Sequence, residues 1–355
     1  MNKTRISVLI ALTGLLVLLT LNTAHAGQKR YSDRADVKAF IAELVKKHNF
    51  NRAELLGMFK RAKPQQKALE ALEKPAEREL TWGQYRPIFV TDKRIDAGVE
   101  FWQNHSATLQ KAEEKYGVPK EIIVAIIGVE TLFGKHTGTY PVLETLITLS
   151  FDAKSRQPFW RKELEEFLLL AKEQQVDPFS IQGSYAGAMG WGQFISSSYR
   201  AYAVDFDDDG KRDLWTNPVD AIGSVANYFK RHGWNTGELI AIEAMINGNE
   251  EGLSAIAVGR ARGGLKPELT LKELSNHGVK LSEQLPADEV ATLVKLEGSK
   301  GDEYWLGFKN FYVITRYNQS AMYAMAVYQL SREIKQKANS VLVELNGKEG
   351  AVPSF

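Results

Sequence analysis

Hydrophobic positions recur along most of the chain at intervals of three and four residues, the spacing that buries one face of a helix. This pattern predicts helices over residues 37–48, 51–62, 96–116, 118–134, 158–175, 218–232 and 322–336. Residues 63–80 are charged and include Pro64 and Pro75, so we expect a connecting segment there. Short elements at 269–274 and 290–296, and aromatic and β-branched residues over 304–314, indicate strands. The chain is therefore expected to be mainly α, with a small β-containing portion between residues 240 and 315.

The predicted helix at residues 118–134 is expected to be buried, because it has an apolar run from Ile122 to Val129, and it carries one carboxylate near its end. Pro119 suits the first helical position, and Gly134 suits the end of the helix. Glu130 has Ile126, Ile127 and Phe133 as helical neighbours. Desolvation there should raise the pKa of Glu130 and keep it protonated, as a general acid requires. The alternative is a structural ion pair with an Arg or Lys elsewhere in the fold.

The N-terminal 26 residues have the pattern of a secretory signal peptide. Lys3 and Arg5 precede an apolar segment over 6–21, and Ala24-His25-Ala26 is a small-residue cleavage site. The alternative is a retained membrane anchor, although the apolar segment is short for a membrane span. The chain has no Cys, so a lipoprotein anchor and disulfides are both excluded. We expect an exported periplasmic protein with no stable membrane anchor in its mature form.

Net charge argues against a nucleic-acid partner. Lys3 and Arg5 are the only charged residues of the first 26, so the remainder carries 43 basic and 43 acidic residues. A protein that binds nucleic acid usually has a basic excess, and the chain without its first 26 residues has none.

A glycine-rich segment, G-S-Y-A-G-A-M-G-W-G-Q-F at residues 183–194, alternates small residues with large aromatic ones. Glycines allow the backbone to approach a ligand closely, and aromatic faces suit sugar rings. Ser184 and Gln193 offer hydrogen bonds. The alternative is a tight crossing of two helices at small residues.

Four segments together resemble the lytic murein transglycosylase B family, in the form of a soluble, non-lipidated member. They are I-I-G-V-E-T-L-F-G around Glu130, the glycine-rich segment, D-A-I-G-S-V-A-N-Y-F at 220–229 and F-Y-V-I-T-R-Y-N at 311–318. The resemblance extends from residue 37 to residue 330. It implies a lysozyme-like α domain with a small β-containing domain, α+β overall.

The resemblance also implies a reaction and a set of site residues. The reaction is cleavage of the β-1,4 bond between N-acetylmuramic acid and N-acetylglucosamine in peptidoglycan, leaving a 1,6-anhydro end. Glu130 matches the family's single acid and base. The implied substrate contacts are Ser184, Gln193, Tyr228, Tyr317, Asn318 and Tyr323, with Tyr85 and Arg156 as weaker matches. The chain departs from the family pattern at two positions that bear on contacts with the outer sugars: Ser155 stands where a second Arg can occur, and Phe159 where a Tyr can occur.

The residues themselves are compatible with a single-acid mechanism. Most glycosidases use two carboxylates, and here Asp152 and Glu163 are candidates only by proximity in sequence. One acid suffices if the muramoyl 6-hydroxyl attacks its own anomeric carbon, because the nucleophile is then already in place. The alternatives are a hydrolytic muramidase and a non-catalytic protein that binds peptidoglycan or calcium. The expected partners are peptidoglycan glycan strands, together with proteins of cell-wall synthesis or remodelling.

An acidic segment at residues 205–213 resembles the start of an EF-hand loop. Asp205, Asp207 and Asp209 occupy positions 1, 3 and 5, with Gly at position 6. Lys211 would contribute its carbonyl. Position 12 is Thr rather than Glu, and the resemblance suggests Asp220 as the bidentate substitute. We expect a structural calcium ion; the alternative is a solvated acidic turn.

These observations divide the chain into five parts. They are a signal peptide at 1–26, a helical catalytic region at 27–240 with the EF-hand-like loop at 205–220, a β-containing region at 241–315, a helix returning to the core at 316–336, and a tail at 337–355.

Overall fold

The structure is a computed structural model. It describes residues 30–73, 80–247, 265–281 and 283–349, with side chains as far as residue 341. The predicted signal peptide lies outside these residues. The chain forms two compact units, which divide after Arg61.

The N-terminal unit is a short helical pair. A 3-10 turn, Tyr31–Asp33, leads into α1 (Ala35–His48), and Asn49 ends that helix in the left-handed conformation. Helix α2 (Arg52–Arg61) follows. The rings of Phe40 and Phe59 meet edge to face at 6.3 Å. Both predicted helices are confirmed.

The larger unit begins with helices that differ from the sequence prediction in two places. Helix α3 (Gln66–Glu73) lies where a connecting segment was expected, because Pro64 and Pro75 flank the helix rather than interrupt it. The single helix predicted over 96–116 is two helices that meet at His105. The helices that follow α3 are α4 (Trp82–Phe89), α5 (Asp92–Asn104), α6 (Ser106–Tyr116) and α7 (Lys120–Thr131).

Helix α7 lies at the centre of the larger unit. All residues from Ile122 to Val129 are buried, so the helix contacts neighbours on every side. It packs against α5, α6, α11 (Pro218–Arg231) and α14 (Ala321–Glu349). Pro119 precedes the first helical residue. The helix ends earlier than predicted, because Leu132, Phe133 and Gly134 all have positive φ.

A short strand pair brings the glycine-rich segment close to the loop that follows α7. Strand β1 (Tyr140–Pro141) pairs antiparallel with β2 (Gln182–Gly183), so that Tyr140 faces Gly183. The helices between them in sequence are α8 (Val142–Asp152) and α9 (Gln157–Gln174), and α10 (Ser196–Tyr202) follows the glycine-rich segment.

The β-containing region is a five-stranded antiparallel sheet in the order β4-β6-β7-β3-β5. Its elements are β3 (Ala241–Ile246), β4 (Leu269–Thr270), α12 (Leu271–Asn276), β5 (Val279–Leu281), β6 (Val290–Gly298) and β7 (Gly301–Gly307). Side chains of β3, β6 and α12 form a separate apolar core that includes Leu274 and Leu293.

The strand prediction over 304–314 is only half right. Strand β7 ends at Gly307, and α13 (Lys309–Tyr317) begins two residues later. Phe311 and Ile314, one helical turn apart, are both buried. The final helix, α14, extends through Glu349, well into the segment predicted as a tail. The mainly α, lysozyme-like α+β class is confirmed. Within the part of the chain that the structure describes, no helix has the length and apolarity needed to cross a membrane.

Candidate active site

Glu130 is a half-buried carboxylate at the end of a helix whose central residues are all buried. The eight residues before it have no access to solvent or almost none, whereas Glu130 itself is partly exposed. The Tyr323 hydroxyl donates a hydrogen bond to Glu130 Oε1 over 2.5 Å. The sequence predicted both residues at the site but did not predict this contact, since Tyr323 was expected to contact sugar.

Tyr323 is suited to remain a hydrogen-bond donor to Glu130. Its side chain is 3% exposed, and burial and the charge of Glu130 both raise the pKa of its hydroxyl well above the usual range. The pKa of Tyr317 is raised in the same way, first by burial and then by the charge of Glu130. Two neutral phenols therefore lie within electrostatic reach of the carboxylate.

Ser184 begins the turn of the glycine-rich segment. Its hydroxyl oxygen accepts hydrogen bonds from the backbone N–H groups of Ala186 and Ala188, at 3.3 and 3.0 Å. Gly187 completes the turn with a φ of 76°. Because the serine oxygen only accepts in these contacts, its own proton can be donated to a ligand.

The polar groups of Gln193, Tyr317 and Tyr228 are largely used to hold the backbone. The Gln193 amide nitrogen donates to the carbonyls of Thr137 and Gly190, which leaves its oxygen for a ligand. The Tyr317 hydroxyl donates to the Gly192 carbonyl, and the Tyr228 hydroxyl donates to the Arg316 carbonyl, each over 2.5 Å. Tyr317 therefore joins α13 to the glycine-rich segment, Tyr228 joins α11 to α13, and both phenol protons are already used.

The three remaining candidates lie in different surroundings. Asn318 is exposed directly after α13. Tyr85 is 1% exposed and packs between Trp82 and Phe89. Its charge adds to the raised pKa of Tyr323. Arg156 is exposed, with its guanidinium 4.2 Å from the centre of the Phe159 ring.

Glu163, one of the two candidate second carboxylates, is part of the internal packing. It is 3% exposed and accepts hydrogen bonds from the Ser197 N–H and hydroxyl, at 3.0 and 2.7 Å. Burial raises its pKa. Both of its oxygens therefore hold the first turn of α10. Asp152, the other candidate, is half-buried at the end of α8.

The acidic loop brings three of its predicted ligands together. Oxygens of Asp205, Asp207 and Asp209 all lie within 4.8 Å of one another. Such a set of hard oxygen donors fits calcium. Asp205 also accepts the N–H groups of Asp209 and Gly210, and Asp209 accepts that of Lys211, so the loop is shaped by its own carboxylates.

Asp220 is not part of this group of three. It is fully buried, and its two oxygens accept the N–H groups of Phe206 and Asp213 at 2.7 Å each. Burial raises its pKa, and the charges of Asp207 and Asp205 add to that effect. Asp220 therefore holds both ends of the loop through the N–H groups of Phe206 and Asp213, and its pKa responds to the charges of Asp205 and Asp207.

Two residues that the sequence analysis did not select hold the end of α7. The Thr131 hydroxyl donates to the Trp191 carbonyl over 2.8 Å and accepts the Gly134 N–H over 3.0 Å. Arg94 donates from Nε to the Gly128 carbonyl over 3.1 Å. Thr131 stands next to Glu130 in its motif, which was an available signal. Arg94 lies 34 residues from Gly128, and nothing in the local pattern indicates the contact.

Comparisons with known proteins give consistent matches. A family model for the transglycosylase SLT domain matches residues 32–332. Membrane-bound lytic murein transglycosylase B of Escherichia coli K12 is 41% identical over 313 residues, which cover 86% of this chain and 84% of that protein. The soluble lytic transglycosylase SltB1 from Pseudomonas aeruginosa is 52% identical, with a TM-score of 0.80 over 86% of this chain and 99% of that one. The Escherichia coli lytic transglycosylase Slt35, solved in complex with calcium, is 42% identical, with a TM-score of 0.77 over 85% and 93%.

Proposed function

Because the chain belongs to the transglycosylase SLT-domain family of lytic murein transglycosylases, we propose that Glu130 is the single acid and base of its reaction. The activity of this family is cleavage of peptidoglycan between N-acetylmuramic acid and N-acetylglucosamine with formation of a 1,6-anhydro end. The observation that carries the proposal is the contact between Glu130 and the Tyr323 hydroxyl, since a half-buried carboxylate held by a neutral donor is suited to exchange one proton.

The reaction proceeds in two proton transfers at one carboxyl group. Protonated Glu130 gives its proton to the glycosidic oxygen as the bond to the muramoyl anomeric carbon breaks. The resulting carboxylate then takes the proton of the 6-hydroxyl as that oxygen attacks the same carbon. Tyr323 stabilises the carboxylate between the two steps by donating to Oε1. Glu130 ends protonated, and no water is consumed.

A second carboxylate is not needed for this sequence of steps. Glu163 is committed to Ser197 and is buried away from solvent. The nucleophile belongs to the sugar that is cleaved, so its attack is intramolecular. The hydrolytic alternative requires a water molecule in place of the 6-hydroxyl and leaves a free reducing end.

The sugar-binding surface that we propose combines Glu130 with side chains of the glycine-rich segment, α11 and α13. Ser184 donates its free proton, and Gln193 accepts through its amide oxygen. Tyr317 offers its half-buried ring to a sugar. Tyr228 is 7% exposed and stacks on the His232 ring at 4.0 Å, so it supports this surface from within. Asn318, at the end of α13, offers a carboxamide to an N-acetyl group. Tyr85 is buried and its charge adds to the raised pKa of Tyr323, and Arg156 contacts an outer sugar or its substituent.

Product analysis tests the proposed reaction. Digestion of purified peptidoglycan should release muropeptides whose muramoyl ends resist borohydride reduction and weigh one water less than hydrolysed ends in mass spectrometry. Reducible ends as the main product would show a hydrolytic muramidase instead. No soluble product at all would favour a non-catalytic wall-binding protein.

Export to the periplasm brings the enzyme to its substrate. The leader pattern at residues 1–26 supports cleavage after Ala26. N-terminal sequencing of periplasmic protein should therefore begin at Gly27. Recovery of the intact leader in the membrane fraction would show a retained anchor.

A structural calcium ion is the further part of this proposal. The carboxylates of Asp205, Asp207 and Asp209 would hold it, with the Lys211 carbonyl and Asp220 completing the set. The Slt35 structure in complex with calcium supports this choice of ion. When bound, the ion would offset two of the three negative charges of Asp205, Asp207 and Asp209 and fix the loop.

Added calcium should therefore raise the melting temperature. A ligand that binds only the folded state at a hundredfold excess over its Kd stabilises that state by about 2.7 kcal/mol. Differential scanning calorimetry of Asp209→Ala should show almost no rise. Asp208→Asn is the matched control, because it removes a loop charge outside the three-carboxylate group and should keep the rise. Equal rises in wild type and Asp209→Ala would contradict the site.

A further inference from the structure

The backbone directly after Glu130 adopts an unfavourable conformation. Leu132, Phe133 and Gly134 have φ values of 50°, 58° and 79°, so three successive residues lie in the left-handed region. Only the last of them is glycine, and the region is costly for Leu and Phe because their Cβ atoms crowd the backbone. Such a conformation persists only where surrounding contacts enforce it.

Thr131 provides the contacts at the centre of this turn. Its hydroxyl accepts the Gly134 N–H at 3.0 Å, and its carbonyl accepts the His136 N–H at 2.9 Å. The same hydroxyl donates to the Trp191 carbonyl over 2.8 Å, shorter than its 3.2 Å distance to the Ile127 carbonyl. Thr131 is 1% exposed, so water does not replace these partners.

Trp191 is a fixed anchor for Thr131. The backbone N–H of Trp191 donates to the Leu214 carbonyl over 3.0 Å. Its indole lies against Gly134, where a Cβ atom would approach the ring to 2.7 Å. On the next residue, the Gly192 carbonyl accepts the Tyr317 hydroxyl. The segment is thus held by Leu214 on one side and by α13 on the other.

We propose that Thr131 is the positioning residue for Glu130, because its hydroxyl joins the last turn of α7 to Trp191 and so keeps the carboxylate against Tyr323. The inference rests on the proposed role of Glu130. Glu130 is the last residue but one of α7, where helices fray. Without the Thr131 hydroxyl, the strained turn loses its link to the glycine-rich segment, and the carboxylate is free to leave the Tyr323 hydroxyl.

Thr131→Val tests this role, because valine keeps the shape of threonine and removes the hydroxyl. Since a displacement of about 1 Å can cost about 10²-fold in rate, kcat should fall by about ten- to hundredfold per folded molecule. KM for peptidoglycan fragments should change little, because Thr131 touches no sugar. Thr131→Ser restores the hydroxyl and should restore most of kcat. Thr145→Val is the matched control, since the buried Thr145 hydroxyl has no hydrogen-bond partner; its kcat should stay at the wild-type value.

A double-mutant cycle with Tyr323→Phe separates positioning from general stability. If Thr131 acts by holding Glu130 on Tyr323, removing the Tyr323 hydroxyl should cost little more once Thr131 is valine. Additive losses of kcat, or wild-type kcat in Thr131→Val, would overturn the inference. If Thr131→Val does not fold, Thr131→Ala takes its place in the same cycle, since it leaves room for water beside the Trp191 carbonyl. If Glu130→Gln is inactive and Thr131→Val is fully active, the inference about Thr131 is wrong but the proposed function stands. If Glu130→Gln is active, the proposed function is wrong as well.

Discussion

Replacing Glu130 with Gln should leave a folded protein that binds peptidoglycan fragments but releases almost no anhydromuropeptide. The amide oxygen of Gln still accepts the Tyr323 hydroxyl, so the packing around residue 130 is preserved. The amide neither donates an acidic proton nor accepts one afterwards, and one group performs both steps. General acid–base catalysis contributes about 10²–10⁴-fold to the rate. The Glu163 carboxylate is held by Ser197 and cannot take the place of Glu130. Turnover on purified peptidoglycan, with binding followed by calorimetry, measures both effects.

The matched control for this variant is Glu100→Gln. Glu100 is exposed on α5, so the same chemical change there should alter neither turnover nor melting temperature measurably. Near-wild-type turnover in a normally folded Glu130→Gln would place the acid elsewhere and contradict the proposed mechanism. Loss of fragment binding together with turnover would point to a substrate contact rather than an acid.

The central helix could be predicted because its pattern has one interpretation. An unbroken apolar run from Ile122 to Val129 between Pro119 and Gly134 is too short for a membrane span and too uniform for a surface helix. A carboxylate at its end then stands out. The exact end of the helix was not predictable, since Leu132 and Phe133 are held in a left-handed conformation by contacts with distant residues.

The region after Gly307 was interpreted wrongly because composition was given more weight than spacing. Residues 308–317 are rich in aromatic and β-branched side chains, which favour strands. The buried positions Phe311, Ile314 and Thr315 are nevertheless spaced three and four apart, as a helix requires. Packing of this segment against α14 as a helix outweighed the strand propensity of its residues.

Contacts between distant segments set the limit of prediction at the site. Glu130 and Tyr323 are 193 residues apart, and the motifs that contain them carry no sign that the two side chains meet. The acidic loop shows the same limit. The carboxylates two residues apart, Asp205, Asp207 and Asp209, were predictable as one group, whereas Asp220 is used to bind the backbone N–H groups of Phe206 and Asp213.

Replacing Tyr323 with Phe should slow turnover and shift its pH dependence without unfolding the protein. The change removes the hydroxyl that donates to Glu130 and leaves the ring in place. Hydrogen bonds to charged groups contribute about 1.5–3 kcal/mol, so kcat should fall roughly ten- to hundredfold. Fragment binding should weaken little, because this hydroxyl already has a partner within the protein.

The pH dependence identifies how Tyr323 acts. The hydroxyl favours the charged form of Glu130, so its removal should raise the pKa of that carboxyl group. Glu130 must be protonated to start the reaction, so activity is present below this pKa and is lost as the pH rises through it. The falling alkaline limb of kcat/KM should therefore move to higher pH, by about one unit if the lost interaction is about 1.36 kcal/mol.

Tyr328→Phe is the matched control on the same helix. Its hydroxyl donates to the Ala241 carbonyl over 2.8 Å, so the variant loses a hydrogen bond of the same kind away from Glu130. It should lower the melting temperature slightly and leave the alkaline limb unchanged. An unshifted limb in Tyr323→Phe, or the same shift in both variants, would show that Tyr323 does not govern the protonation of Glu130. A shift confined to Tyr323→Phe would connect the 2.5 Å contact directly to proton transfer.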